Sequence, residues 1–488
     1  MDSVASMEKI KKYNDSLDAW ECSNGFRINE ENGYLSIDSY EANTLFILEK
    51  LLKLSKVSNR GQQESNSRYL RESNLKFEDP LKKVALQKVF VKSQVMLIYG
   101  AAGTGKTTLI NYVSNMTMQS KKLFLTKTHT ALQNLKRRIE NPGSESDFVS
   151  IDSFTKMVTL TDYDVIFIDE CSTIDNRTMG KMLEKIDDDT LLVLAGDIYQ
   201  IESIDFGNWF YYAKDIIKTD GANVELLNTW RTEKEELKSL WDGVRKIEPI
   251  ITEKLAIDGP FSSDIGEEIF VSKDEDEIVL CLNYDGKFGL NNMNLYFQNA
   301  NTKSEVYSWA EWTFKVGDPI IFLDTKRSSL LYNNLKGRIV DISKSDSVIL
   351  FTLDIDTILT ERQCRNESFE FVDVTDFGTR ICLEVVASIE ELEDDEERVK
   401  TIIPFQIAYA VSIHKAQGLE YKSVKIIIPS YNAEKISHSI FYTAITRAKD
   451  KLKIYWSAET MQDIIESFTK EKDESWTHSM IKKKLDLE

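Results

Sequence analysis

Val95-Met96-Leu97-Ile98-Tyr99 runs directly into Gly100-Ala101-Ala102-Gly103-Thr104-Gly105-Lys106-Thr107-Thr108, and this join of an apolar run to a glycine-rich loop decides how the rest of the chain is read. Five apolar residues in succession suit a strand buried on both faces, the texture of a parallel sheet. The loop fits the pattern G-x-x-x-x-G-K-T and is followed by a helix-like stretch. Its glycines let backbone N–H groups approach and cradle phosphate oxygens, Lys106 reaches the β and γ phosphates, and Thr107 can coordinate magnesium. Gly100, Gly103, Thr104, Gly105, Lys106, Thr107 and Thr108 are therefore the candidate nucleotide-binding residues.

Downstream, Lys122-Leu123-Phe124-Leu125, Val165-Ile166-Phe167-Ile168 and Leu191-Leu192-Val193-Leu194-Ala195 read as further buried strands of one open α/β sheet. Magnesium bridging phosphates needs oxygen ligands, and an attacking water needs a base. The strand ending in Asp169-Glu170 supplies both: Asp169 is assigned to the metal beside Thr107, and Glu170 to polarising the water. The next strand ends in Gly196-Asp197-Ile198-Tyr199-Gln200, which makes Gln200 a candidate γ-phosphate sensor. Ligands bind outside the carboxyl ends of parallel strands, so three such ends define one crevice.

At 488 residues the chain exceeds the usual size of one hydrophobic core, and 42% apolar content supports folded domains. No run of eighteen apolar residues and no signal-peptide core is present, so a cytoplasmic protein without a membrane span is expected. A net charge of -19 argues against a protein that coats nucleic acid over its whole surface, while leaving room for a local basic channel. The acidic runs Glu390 to Glu397 and Asp187-Asp188-Asp189 read as solvated loops. Five scattered cysteines show no zinc spacing and read as reduced.

Polar residues dominate Ser58 to Asn74, which is expected to be a linker after a helix over Tyr40 to Lys53. A second set of parallel strands is expected at Ile407-Ala408-Tyr409-Ala410-Val411, Val424 to Ile428 and Leu452 to Trp456, with a helix near Ile440 to Ala448. Between the two sets, Phe270 to Thr401 alternates apolar and polar residues and reads as short antiparallel strands, in the manner of a small barrel. The aromatic run Trp209-Phe210-Tyr211-Tyr212 is expected to be mostly core, with a base-stacking face as its alternative.

The series of motifs resembles the superfamily 1 helicases, and within them the RecD-like branch. Val411 to Glu420 is similar to motif V, Phe441 to Lys449 to motif VI, Leu125 to Ala131 to motif Ia, Val149 to Phe154 to motif Ib and Leu226 to Arg231 to motif IV. Ile204 to Asn208, and Lys315 to Asp318 with Asn333 to Arg338, are similar to stretches of the RecD-like branch, the latter to its SH3-like insertion.

The resemblance implies an α/β fold of two RecA-like parallel-sheet motor domains, at 76–230 and 231–475. The second carries an SH3-like β insertion at roughly 310–400, with a small N-terminal accessory region at 1–75 and a C-terminal tail at 476–488. It implies an ATP-hydrolysing enzyme using ATP and magnesium, travelling 5′ to 3′ on single-stranded DNA or tailed duplex DNA. The alternative is a nucleic-acid-responsive ATPase switch. Charge spreads over the γ-phosphate oxygens during transfer, and an arginine delivered across a domain cleft is worth about 10³ to 10⁵ in rate. Arg231 and Arg447, donated by the second domain, are the candidates. Gly418 and Glu420 of motif V join the nucleotide set, and Thr128, His129, Ser153, His414 and Thr443 fall where the family contacts nucleic acid. Two departures stand out. Only Thr155 to Asp164 separate motif Ib from the strand bearing Asp169, which leaves little room for the branch's strand-splitting pin. Gln87 lies closer to Gly100 than the family's adenine-side glutamine does. The N-terminal region could dock a protein partner.

Overall fold

The computed structural model describes residues 3–31, 34–59, 61–73, 77, 79–157, 162–203, 205–249, 251–257, 261–262, 269, 276–302, 305–309, 312–323, 327–386, 401–468 and 475–487. The chain forms two compact units, Met1–Arg231 with Glu471–Glu488, and Thr232–Lys470.

Six parallel strands build the sheet of the first unit: β1 (Val95–Gly100), β2 (Lys122–Thr126), β3 (Ser146–Ser150), β4 (Val165–Ile168), β5 (Leu191–Gly196) and β6 (Asn223–Leu226). Their spatial order is β3-β2-β4-β5-β1-β6. Alternation along the strands explains why the central ones are apolar throughout. Leu97, Leu123, Ile166 and Leu192 enter one core, while Met96, Phe124, Phe167 and Val193 enter the core on the opposite face. The first core is covered by α1 (Asp38–Ser55), which contributes Ile47, Leu48, Leu51 and Leu54. Several helices cover the second: α2 (Gln62–Glu72) lies beside α3 (Pro80–Lys88), which contributes Ala85 and Leu86. The loop after β1 leads into α4 (Lys106–Met116), which adds Leu109, Ile110 and Val113.

Residues 38–55 therefore form part of the first unit's core, and the C-terminal helix Ser475–Lys484 returns to the same unit, burying Ile481 there. The stretch expected to be a linker at Ser58 to Asn74 folds into α2 instead. Its polar composition hides one decisive contact: fully buried Asn66 donates to the carbonyls of Val89 (2.8 Å) and Gln87 (3.3 Å), so a hydrogen bond substitutes for apolar burial. Asp188 of the acidic run is ion-paired with Lys50 (2.5 Å) and with Lys53, which holds its carboxyl down at about 2. Glu390 to Glu397 lie outside the described residues. The aromatic run begins a helix, Trp209–Ile216, in which Trp209, Phe210 and Tyr212 are buried; the base-stacking alternative gives way to core packing.

The second unit has its own parallel sheet. Its strands are β7 (Phe261–Ser262), β8 (Glu277–Cys281), β15 (Ala410–Ser412), β16 (Tyr421–Ile427) and β17 (Ala448–Tyr455), ordered β15-β8-β16-β17-β7. Between β8 and β15 lie β9 (Pro319–Phe322), β10 (Lys336–Lys344), β11 (Val348–Ile355), β12 (Glu370–Thr375), β13 (Gly378–Val386) and β14 (Phe405–Ile407). They form an antiparallel sheet ordered β12-β13-β11-β10-β9-β14 with a core of its own. Antiparallel strands occupy much of the Phe270 to Thr401 stretch, as its alternation leads one to expect, but the stretch also holds parallel β8 and the helix Leu290–Ala300.

Ile407 to Val411, expected to be one parallel strand, is divided between the two sheets. Ile407 closes antiparallel β14 and Ala410 opens parallel β15. Asp318 fixes the crossing: fully buried, its carboxylate accepts from Tyr409 Oη (2.8 Å), Gln298 Nε2 (2.6 Å) and the Lys315 N–H (2.8 Å).

Leu51→Ala should destabilise the first unit by about 2–5 kcal/mol, the usual range for a buried leucine. Chemical denaturation checks this, and an unchanged midpoint would remove α1 from the core.

Candidate nucleotide site

Gly103 and Gly105 adopt φ of +77° and +85°, the left-handed region that glycine enters at little cost. A Cβ on Gly103 would collide with Arg231 Cβ and stand 3.0 Å from Thr229 Oγ1, and a Cβ on Gly105 would collide with Lys82 Nζ. The loop is braced from the strand beside it. β6 pairs with β1, and the chain after β6 lets Trp230 N donate to Gly103 O (2.8 Å) and Thr229 Oγ1 to Ala102 O (2.9 Å). Thr104 Oγ1 closes the turn on Ala101 O at 2.9 Å. The backbone therefore holds the open, glycine-lined shape that a phosphate requires.

Lys106 Nζ donates to Gly100 O (2.8 Å) and Ala101 O (3.0 Å), so its ammonium is folded over the cradle. Burial lowers its pKa below the ordinary lysine value. Asp197 and Asp169 oppose that shift, and Arg231 adds to it. Thr107 Oγ1 donates to Asp169 Oδ2 at 3.0 Å. Asp169, 8% exposed, accepts the Glu170 N–H on its other oxygen at 2.9 Å. A hydroxyl and a carboxylate held this close are the oxygen pair a hard divalent cation uses. Glu170 itself is left-handed (φ 59°, ψ 40°), a conformation unusual for a residue with a side chain. Its carbonyl accepts from Thr173 N (2.9 Å) and Thr173 Oγ1 (2.8 Å), which pins the backbone in that conformation. Gln200 Nε2 donates to Asp197 Oδ2 at 3.1 Å, and Asp197 is 3% exposed. Lys106, Thr107, Asp169, Glu170 and Gln200 thus gather at the carboxyl edge of β1, β4 and β5, as their positions in the sequence lead one to expect. Asp197 joins them, as the carboxylate its strand end puts at that edge, and so does Lys82, which the sequence reading had not singled out. Their signals were present, Asp197 as the acid closing an apolar strand and Lys82 as the third residue of a helix capped by Asp79.

Arg231 departs from expectation. It was read as an arginine donated by the second domain, but it belongs to the first unit and packs against Gly103. The cause is β6, a four-residue strand whose pairing with β1 carries residues 227–231 alongside the loop. Arg231 stands among the charges that act on Lys106.

Thr128 and Ser153 follow β2 and β3, which are adjacent in the sheet. Thr128 caps the helix His129–Arg138 by accepting the Ala131 N–H (3.2 Å). Ser153 Oγ meets Ser150 Oγ at 2.8 Å, and Thr128, His129 and Ser153 are all exposed. In the second unit His414 is exposed just beyond β15, Gly418 is left-handed at φ 78°, and Glu420 pairs with Lys449 (3.1 Å). Arg447, 2% exposed, donates to Thr443 O (2.9 Å), Leu419 O (3.2 Å) and Thr446 Oγ1 (3.3 Å), locking the motif V turn to the helix His438–Ile445. Thr443 is fully buried within that helix. The expectation that it touches nucleic acid is therefore corrected: its face of the helix packs inward.

Fold and site together define a phosphate-loop nucleotide-binding protein with two parallel α/β sheets. The family model described as an AAA domain matches residues 82–256, and the UvrD-like helicase C-terminal domain model matches residues 407–455. The RecD subunit of the RecBCD enzyme from Buchnera aphidicola is 22% identical over 442 residues, 77% of this chain and 73% of the relative. The ATP-dependent RecD2 DNA helicase of Deinococcus radiodurans is 29% identical over 85 residues, 17% of this chain and 11% of its own length. With the motif series, these matches make the chain similar to the RecD-like helicases of superfamily 1. Among solved structures, Bacteroides Pif1 bound to single-stranded DNA aligns with a TM-score of 0.48 at 15% identity, over 79% of this chain and 94% of that one.

Lys106→Ala should abolish nucleotide binding while leaving the thermal unfolding midpoint near wild type. A phosphate grip needs the protonated amine, and the protein-bound amine deprotonates below the ordinary value of 10.5. Nucleotide affinity should therefore weaken as pH rises towards that depressed pKa. Titrations between pH 7 and 10, set beside Lys106→Arg, read this directly, and a flat wild-type profile would contradict it.

Proposed function

We propose that the chain is an ATP-dependent DNA helicase or single-stranded DNA translocase that moves 5′ to 3′. One observation carries the reading: within a single sheet, the ends of β1, β4 and β5 hold the nucleotide residues, while the ends of neighbouring β2 and β3 expose Thr128, His129 and Ser153. A change at the phosphate loop and a change at the strand-binding residues are then rooted in one rigid element. We assign the antiparallel sheet of the second unit to the SH3-like insertion of the RecD-like branch.

Lys106 holds the β and γ phosphates, and Thr107 with Asp169 would hold magnesium, which supplies neutralising charge to the phosphates. Glu170 orients and polarises the attacking water from its pinned backbone. Gln200, anchored to Asp197, reports the γ-phosphate, and Arg231 steadies developing negative charge from its place beside Gly103. His414 offers the second unit's contact to the strand. Gly418 and Glu420 shape the motif V turn, and Arg447 ties that turn to motif VI.

Glu170→Gln should slow ATP hydrolysis by about 10² to 10⁴, the usual contribution of a general base, while retaining nucleotide affinity. Turnover at the wild-type rate in that variant would remove Glu170 from the role. Movement and polarity are tested by displacement of streptavidin from biotinylated oligonucleotides. The reading expects ATP-dependent release from the 3′ end and little from the 5′ end. Release from neither end would contradict translocation.

A further inference from the structure

The motif V segment of the second unit is gripped from the antiparallel sheet at two points. At one, Lys415 Nζ donates to Gln406 Oε1 of β14 at 3.0 Å. At the other Lys336, the first residue of β10, donates through Nζ to Glu420 O at 3.2 Å and stands 3.6 Å from the centre of the Tyr421 ring. The backbone of Lys336 is fixed by its own sheet. Leu335 O accepts from Phe322 N (2.9 Å), Lys336 O accepts from Asp356 N (2.9 Å), and a Cβ on the next residue, Gly337, would stand 3.0 Å from Asp354 O.

The backbone around Glu420 is held one polar group after another. Arg447 Nη1 donates to Leu419 O (3.2 Å), Tyr421 N donates to Arg447 O (3.0 Å), and Lys449 pairs with the Glu420 carboxylate (3.1 Å). Lys336 takes Glu420 O, and its ion partner Asp276 (3.7 Å) accepts the Lys422 N–H on the other carboxylate oxygen at 3.1 Å. Arg447, Lys449 and Asp276 belong to the parallel sheet or its approaches; Lys336 is the member of this set that the antiparallel sheet supplies.

An ammonium in this position costs desolvation. Burial lowers its pKa below the ordinary lysine value, Asp276 and Asp356 oppose that shift, and Lys449 adds to it. An apolar side chain such as methionine would cover Tyr421 without that cost. Close packing does not force the contact, since a cavity of about 350 Å³ opens beside Lys336, Arg338 and Tyr421. The side chain goes to Glu420 because a cation is attracted both to a ring face and to a carbonyl oxygen.

Resting on the reading of motif V as part of the nucleotide machinery, we propose that Lys336 is a positioning residue for ATP turnover: through Glu420 O and the Tyr421 ring, the antiparallel sheet sets how the turn bearing Gly418 and Glu420 meets the nucleotide.

Steady-state ATP hydrolysis by the full chain with saturating single-stranded oligothymidine tests this, read beside ADP affinity and thermal unfolding. Lys336→Met should lower kcat by about tenfold, the worth of one charge-assisted hydrogen bond, while KM for ATP, ADP affinity and the unfolding midpoint stay near wild type. Lys336→Arg keeps a cationic donor over the ring and should restore most of the rate. Because Lys336 acts through Glu420, adding Lys336→Met to Glu420→Ala should lower kcat little further than Glu420→Ala alone. A wild-type kcat in Lys336→Met beside a slowed Glu420→Ala would overturn the proposal and leave the motif V reading standing. Full additivity in the double variant, or Lys336→Arg no faster than Lys336→Met, would also overturn it and reduce Lys336 to a structural part. Should Lys336→Met fold poorly, Lys336→Gln takes its place with the same expectation. Wild-type turnover in both Glu420→Ala and Lys336→Met would refute the motif V reading itself, and the proposal with it.

Discussion

The hydrogen bond from Thr107 Oγ1 to Asp169 Oδ2, 3.0 Å long, joins the residue that follows the phosphate-loop lysine to the acid at the end of a strand two places away in the sheet. It can form only if β1, β5 and β4 are held in one register, and that register is set by apolar side chains filling both faces of the sheet. The chemistry of the site is thus a consequence of core packing: Leu97, Leu192 and Ile166 below and Met96, Val193 and Phe167 above determine where an ammonium, a hydroxyl and two carboxylates converge. Interiors packed at crystal density transmit even small displacements. For that reason α1, far from the loop in sequence, bears on the site through the core it completes.

Much of this was legible from residue order alone, and the reasons for what was not are local. β1, β2, β4 and β5 lie deep in the sheet and read as unbroken apolar runs. β3, with Asp147 and partly exposed residues, and β6, with Asn223 and Glu225, are the outer strands of the same sheet, and polar residues blurred their periodicity. Missing β6 had a cost beyond one strand, because β6 is what brings Arg231 to Gly103 and keeps it in the first unit. The Ile407 to Val411 run misled for the opposite reason: its apolar texture is continuous, but Tyr409 bonds Asp318 and the backbone changes sheets there. The polar helix α2 escaped notice because its anchor is an asparagine rather than a leucine. Thr443 shows the limit of motif reading, since a motif fixes a position in the chain and not which face of a helix it occupies.

The two units divide the work unequally. The first gathers Lys106, Thr107, Asp169, Glu170 and Gln200 at one sheet edge. The second carries its own parallel sheet, the antiparallel insertion tied in through Asp318, and a turn at Gly418 locked by the buried guanidinium of Arg447. That buried arginine bonds two backbone carbonyls and a hydroxyl, so motifs V and VI are held as one piece. A rigid coupling of this kind suits a domain that must respond as a unit when nucleotide or strand is bound.

The central claim is that the phosphate loop and the exposed residues beyond β2 and β3 act together, so that a nucleic-acid strand governs nucleotide turnover. Steady-state hydrolysis of ATP measured with and without saturating single-stranded oligothymidine tests this most directly. The account predicts strong stimulation by the oligonucleotide that disappears when Thr128, His129 and Ser153 are replaced together by alanine, with unstimulated hydrolysis retained. A rate indifferent to the oligonucleotide in the wild-type chain would contradict it.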